Sequence, residues 1–128
     1  MSKTTRILVA DNDEDILTLV AFRLERQGYE VLVARDGAEA LERARQELPD
    51  LCVLDVMMPK LTGYDVTREL RADPRTQDVP VILLTARVQE ADVRSGFDAG
   101  ADDYVRKPFS PQELRERVAA ALEKRRAA

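Results

Sequence analysis

The sequence contains no histidine, and this absence excludes several classes of site. Without imidazole the chain cannot build a Ser-His-Asp or Cys-His nucleophile, a His-ligated zinc centre or a phosphohistidine of its own. Its single cysteine, Cys52, cannot form an internal disulfide, which suits a reducing compartment. We therefore expect a cytoplasmic protein whose chemistry depends on other side chains.

Long apolar runs and a positive net charge are also missing. No apolar stretch approaches the roughly 20 residues that span a bilayer, so we expect no membrane insertion. The 20 Lys and Arg residues against 24 Asp and Glu residues give a net charge of −4. Such a chain repels the phosphates of nucleic acids, and any direct reading of DNA must be done elsewhere.

The sequence does contain short apolar runs that alternate with helix-like stretches. The 128 residues predict one domain, with a core from Lys3 to about Leu122 and a tail or linker start from about Glu123 to Ala128. Nearly continuous apolar runs are typical of parallel strands that are covered on both faces. The predicted strands are 7–10, 29–34, 51–54, 81–84 and 104–105.

Apolar residues at helical spacing predict five helices around these strands. The buried stripe of the second helix ends at Leu48. The fourth helix, about 89–99, is the weakest, because it offers few apolar residues, Phe97 among them, to a core. It also contains Gly96, which costs about 1 kcal/mol relative to alanine in a helix. This alternation predicts a doubly wound α/β fold, a parallel sheet with helices on both faces.

Ligands bind to such sheets outside the carboxyl ends of the strands. Two carboxylates, an amide, a hydroxyl and an ammonium follow four of the predicted strands and would share one crevice. Oxygen donors of this kind suit a hard divalent cation, and the lysine and threonine suit a phosphoryl group. These residues are Asp11, Asn12, Asp55, Thr85 and Lys107.

Four motifs, taken in order, resemble the response regulator receiver domain, and the resemblance covers essentially the whole chain. It implies a CheY-like, flavodoxin-like sheet of five parallel strands in the order 2-1-3-4-5. The segment 100–104 is similar to receivers that precede a winged-helix DNA-binding domain. The motifs are 7–13, 54–59 with Gly63, 84–86 and 104–109.

The resemblance implies that Asp55 accepts a phosphoryl group from a sensor histidine kinase or a phosphotransfer protein in a two-component phosphorelay. It also implies Mg²⁺, or Mn²⁺, held by Asp11, Asn12, Asp55 and the backbone carbonyl of Met57. Lys107 would hold a phosphoryl oxygen. The output would be a change in a protein contact, and we expect no enzyme activity of the chain's own.

Thr85 and Tyr104 match the switch pair of the family. A phosphoryl oxygen would draw the Thr85 hydroxyl toward the site, and Tyr104 would then turn inward. The face made by the fourth helix, fifth strand and fifth helix would bind a partner, a second copy of the chain being one candidate. DNA would be bound only by an effector domain outside this chain. The resemblance also implies a cis bond between Lys107 and Pro108.

Asn12 departs from the family pattern, which usually has a second acid there. An amide oxygen can still bind a cation, but one negative charge is missing, so Mg²⁺ affinity should fall, with Asp13 substituting in part through water. The alternative is a pseudo-receiver, an interaction module that phosphorylation does not regulate.

Two other functions are possible for such a fold. An aspartyl-phosphate hydrolase needs a second aspartate, but Met57 stands at that position. A flavin-binding module needs a phosphate cradle, but the loop after Ala10 is acidic.

Overall fold

Five parallel strands form one sheet in the order β2-β1-β3-β4-β5. The computed structural model describes residues 4–86 and 90–127, with side chains over 4–86 and 94–125. This sheet confirms the doubly wound α/β fold and the strand order that the resemblance implies. The strands are β1 (Arg6–Ala10), β2 (Glu30–Ala34), β3 (Leu51–Asp55), β4 (Val81–Thr85) and β5 (Asp103–Arg106).

Five helices follow the strands in turn, and side-chain caps fix where the first three begin. The Asp13 carboxylate accepts hydrogen bonds from the first-turn amides of α1, and Asp36 does the same for α2. Thr62 and Asp65 form a reciprocal capping box at the start of α3. The helices are α1 (Glu14–Glu25), α2 (Gly37–Glu47), α3 (Gly63–Ala72), α4 (Glu90–Ala99) and α5 (Pro111–Ala127).

The core has two layers, one on each face of the sheet. Successive side chains of a strand point to opposite faces, so β3 and β4 are buried along their whole length. One layer joins the sheet to α2 and α3, and the other joins it to α1 and α5. Cys52 lies in the first layer, where burial raises the pKa of its thiol to about 12. It is therefore not a nucleophile at neutral pH.

Two residues that the sequence assigns to the core are exposed. Leu48 is 52% exposed because it adopts the left-handed conformation at the C-cap of α2, which turns its side chain out of the helical stripe. Phe97 is 49% exposed, whereas Gly96 and Ala99, in the part of α4 whose side chains are described, are buried. Residue 89, the predicted start of α4, lies outside the described residues.

The carboxyl-terminal helix is longer than the sequence predicts. α5 continues through Ala127, whereas the tail or linker is expected from about Glu123. Among its side chains that the structure describes, which end at Arg125, the last buried one is Leu122, and residues 123–125 are exposed. None of the helices in the described ranges is long and apolar enough to cross a bilayer.

Candidate functional site

The carboxyl edge of the sheet gathers the charged residues that follow the strands. Asp55 is the last residue of β3, and Asp11 and Lys107 come directly after β1 and β5. Backbone hydrogen bonds continue the sheet past the strand ends, with the Asp11 amide donating to the Ala34 carbonyl at 3.1 Å and the Lys107 amide to the Thr85 carbonyl at 2.7 Å. The sheet itself therefore positions these side chains.

The Lys107 ammonium lies between two buried carboxylates. Its Nζ is 2.9 Å from Asp11 Oδ2 and 3.3 Å from Asp55 Oδ1. Asp11 is fully buried and Asp55 is 4% exposed, so both carboxylates depend on partners within the protein. The Asp13 amide donates to Asp11 Oδ1 at 2.9 Å, and the Met57 amide donates to Asp55 Oδ1 at 3.3 Å.

The pKa values of Asp55 and Lys107 are both shifted, because two acids and one base lie close together in this cluster. Burial, together with the charge of Asp11, raises the pKa of Asp55 to about 6, although Lys107 opposes the rise. Burial acts to lower the pKa of Lys107, but the hydrogen bond to Asp11 and the charge of Asp55 outweigh it, and the net pKa is raised. At neutral pH the site therefore holds an ammonium and a mostly ionised Asp55.

The loop after Asp55 is held tightly against the strand end. The Gly63 amide donates to the Val56 carbonyl at 3.0 Å, and a Cβ added at Gly63 would lie 2.7 Å from the Asp55 carbonyl oxygen. Only glycine allows this approach of the α3 backbone. Thr67 Oγ1 donates to the Gly63 carbonyl at 2.7 Å and fixes the first turn of α3.

Thr85 and Tyr104 occupy the same face of neighbouring strands. Thr85, the last residue of β4, is fully buried. Tyr104 pairs in register with Leu83, and strand alternation puts Thr85 on the face of Leu83. The Tyr104 hydroxyl lies 3.0 Å from the hydroxyl of Tyr64 on α3.

Comparison with known proteins agrees with this arrangement. The family model described as "Response regulator receiver domain" matches residues 7–119. The chain belongs to the response regulator receiver domain family. As a receiver domain it is part of a two-component system, and the curated relatives that it matches are named as transcriptional regulators.

One curated relative is the alkaline phosphatase synthesis transcriptional regulatory protein PhoP of Bacillus subtilis (strain 168). The two are 50% identical over 117 residues, which are 91% of this chain and 48% of PhoP. The receiver domain thus spans about half the length of the curated relatives it matches.

Two solved structures have the same fold. A CheY-like receiver domain protein from Methanospirillum hungatei JF-1 has a TM-score of 0.92 and 27% identity, over 98% of both chains. The receiver domain of a sensor histidine kinase from Pseudomonas aeruginosa PAO1 has a TM-score of 0.87 and 31% identity, over 94% of this chain and 99% of that one. That structure has a magnesium ion coordinated in its active-site cleft.

Two residues expected at the metal site of this receiver domain have exposed side chains. Asn12 is exposed, and the Met57 side chain is 54% exposed, while the Met57 backbone amide donates to Asp55. Asp13, expected to assist through water, has its Oδ1 committed to the amides of Asp15 and Ile16 at the start of α1. Across the described ranges, no group of three or more Asp, Glu or Cys side chains converges on one point.

Sequence reasoning missed two residues around Tyr104. Tyr64 is not singled out by any motif, and its contact with Tyr104 depends on how α3 lies against the sheet. The sequence indicates only that Gly96 weakens a helix, but a Cβ there would lie 2.8 Å from Tyr104 Cε2. A glycine inside an otherwise regular helix is a signal of close packing, and this is the signal that could have found it.

Proposed function

We propose that this receiver domain accepts a phosphoryl group on Asp55 from the phosphohistidine of a sensor histidine kinase or a phosphotransfer protein. A carboxylate oxygen of Asp55 attacks phosphorus, the bond between phosphorus and the donor nitrogen breaks, and an acyl phosphate forms. The observation that carries the proposal is the Lys107 ammonium 2.9 Å from Asp11 and 3.3 Å from Asp55. The donor histidine must lie outside these 128 residues, because they contain none.

The charges of the site support phosphoryl transfer. With a pKa of about 6, Asp55 is mostly a carboxylate at neutral pH and is available as a nucleophile. Lys107 stays protonated because its pKa is raised, and it would neutralise charge on an equatorial phosphoryl oxygen. Its contact with Asp11 keeps the ammonium at the place where that charge arrives.

The donor set fits Mg²⁺, or Mn²⁺, as the cofactor. One or two carboxylates, with phosphate oxygens and waters, are the usual ligands of Mg²⁺, and Asp11 and Asp55 supply two buried carboxylates. Asn12 would add an amide oxygen and Met57 its backbone carbonyl. When bound, the cation would neutralise charge on the phosphoryl oxygens. We expect weak binding, because Asn12 supplies no charge.

The output is proposed to run through Thr85 and Tyr104. The Thr85 hydroxyl would donate to a phosphoryl oxygen, and Tyr104 would take a new position on the same face of the sheet. The face formed by α4, β5 and α5 would then bind a partner in the cytoplasm, either a second copy of this chain or an effector domain that reads DNA. PhoP is named a transcriptional regulatory protein, which supports an effector of that kind.

The proposal is tested by intact-mass spectrometry after incubation with a small acyl phosphate and Mg²⁺. We expect one added phosphoryl group on the native chain and none on Asp55→Asn. Asp78→Asn, which changes an exposed acid before β4, is the matched control and should be phosphorylated normally. If the native chain gains no phosphoryl group even at high Mg²⁺, the proposal is wrong and an unregulated interaction module remains.

A further inference from the structure

A hydrogen bond between two tyrosine hydroxyls joins α3 to β5. The Oη atoms of Tyr64 and Tyr104 are 3.0 Å apart, and the residues are 40 positions apart in the chain. Both rings are partly buried and pack on the core layer between the sheet, α2 and α3. The pair therefore links α3, the helix that follows β3, to β5, although β4 lies between β3 and β5 in the sheet.

The Tyr104 ring has a second fixed contact, on α4. A Cβ at Gly96 would lie 2.8 Å from Tyr104 Cε2, 3.0 Å from Cδ2 and 3.1 Å from Leu83 Cδ1. The ring thus lies directly against the α4 backbone, while its hydroxyl reaches α3. Any movement of the ring must break the hydroxyl contact or open the packing on α4.

Tyr64 is in turn tied to the strand that ends in Asp55. It directly follows Gly63, whose backbone packs against the Asp55 carbonyl and whose amide bonds to Val56. A continuous chain of contacts therefore runs from Asp55 through the first turn of α3 to the Tyr104 ring.

We propose that Tyr64 is a positioning residue of the switch, and that its hydroxyl holds the Tyr104 ring in the present position against α4. The inference rests on the proposed function, because it concerns the threshold at which Tyr104 moves. A hydrogen bond between neutral groups changes a two-state population by about fivefold. Tyr64 thereby sets how readily the α4–β5–α5 face changes when Asp55 is modified.

The test uses fluorine NMR on the protein with all of its tyrosines replaced by 3-fluorotyrosine. The sequence has three tyrosines and no tryptophan, so Tyr→Phe variants assign the three signals. In Tyr64→Phe without phosphate donor, we expect the Tyr104 signal to shift and to report about fivefold more of the displaced ring. Tyr29→Phe is the matched control, since Tyr29 is also partly buried but packs on the opposite layer, with α1 and α5.

A second measurement, made during phosphorylation, tests this inference separately from the proposed function. On addition of the acyl phosphate and Mg²⁺, Tyr64→Phe should reach the phosphorylated position of Tyr104 at a lower fraction of modified Asp55 than the native chain does. An unchanged Tyr104 signal in unmodified Tyr64→Phe, or an equal change in Tyr29→Phe, would overturn the role of Tyr64. A shifted Tyr104 signal in a chain that takes no phosphoryl group would support the positioning role and count only against phosphorylation.

Discussion

Asp55 carries the clearest electrostatic consequence among single residues. Its pKa is raised to about 6 from an ordinary 3.8, so the folded metal-free protein holds this proton more tightly than the unfolded chain does. The resulting stability is present below about pH 4 and is lost as the pH rises through 6. The Asp55→Asn variant has no carboxyl group to ionise at this position, so it does not lose this stability as the pH rises. We expect its free energy of unfolding to exceed that of the native chain by about 1 kcal/mol at pH 7.

Urea unfolding from pH 4 to pH 7 without metal measures this difference. The gap between Asp55→Asn and the native chain should widen between pH 4 and pH 6 and then stay constant. The exposed Asp78→Asn should follow the native curve. A constant gap over the whole range would mean that Asp55 titrates alike in the folded and unfolded chain.

Asn12 offers a gain-of-affinity prediction. Asn12→Asp restores a third negative charge beside Asp11, and two unit charges about 4 Å apart interact by about 4 kcal/mol at an effective dielectric of 20. Crowding of carboxylates offsets part of this, so we expect Mg²⁺ to bind about tenfold more tightly. The rise of Tm with Mg²⁺ concentration measures the affinity. Gln27→Asp adds the same charge at an exposed position in the turn after α1 and should leave Mg²⁺ binding unchanged.

At the scale of elements, α4 shows a conflict between local preference and packing. Gly96→Ala should favour the isolated helix by about 1 kcal/mol. In the folded protein the added methyl group meets the Tyr104 ring and Leu83, and such overpacking costs about 1 to 3 kcal/mol. We therefore expect Gly96→Ala to lower the free energy of unfolding by about 1 kcal/mol and to displace the Tyr104 ring.

Chemical denaturation and the fluorine signal of Tyr104 measure the two effects. Asp98→Ala is the control, because Asp98 is an exposed residue of the same helix and alanine favours the helix there without a clash. A Gly96→Ala protein that is more stable than the native chain would show that the Tyr104 ring moves aside at little cost in free energy.

At the scale of the whole molecule, the architecture could be predicted from the sequence because parallel strands and helices alternate without interruption. The apolar runs predicted the strands to within a few residues, while the strand order came from the family resemblance. The sequence also predicted that Asp11, Asp55 and Lys107 lie close together, because each stands at the end of a predicted strand and the carboxyl ends of parallel strands share one edge of the sheet.

Features that depend on the placement of a side chain could not be predicted. Leu48 lies at helical spacing, but the turn before Pro49 rotates it into solvent. Phe97 is apolar, yet it is exposed, while the small residues Gly96 and Ala99 of the same helix are buried. The hydroxyl contact of Tyr64 with Tyr104 needs two ring conformations and the angle of α3, none of which a one-dimensional pattern contains.

The position of β5 at the rim of the sheet has a kinetic consequence. β5 has four residues and bonds only to β4, whereas β1 and β3 each have neighbours on both sides. Amide hydrogens of β1 and β3 should exchange with deuterium only when the whole domain unfolds, and those of β5 should exchange through smaller local openings. The strand that carries Tyr104 can then open and close many times while the centre of the sheet stays shut.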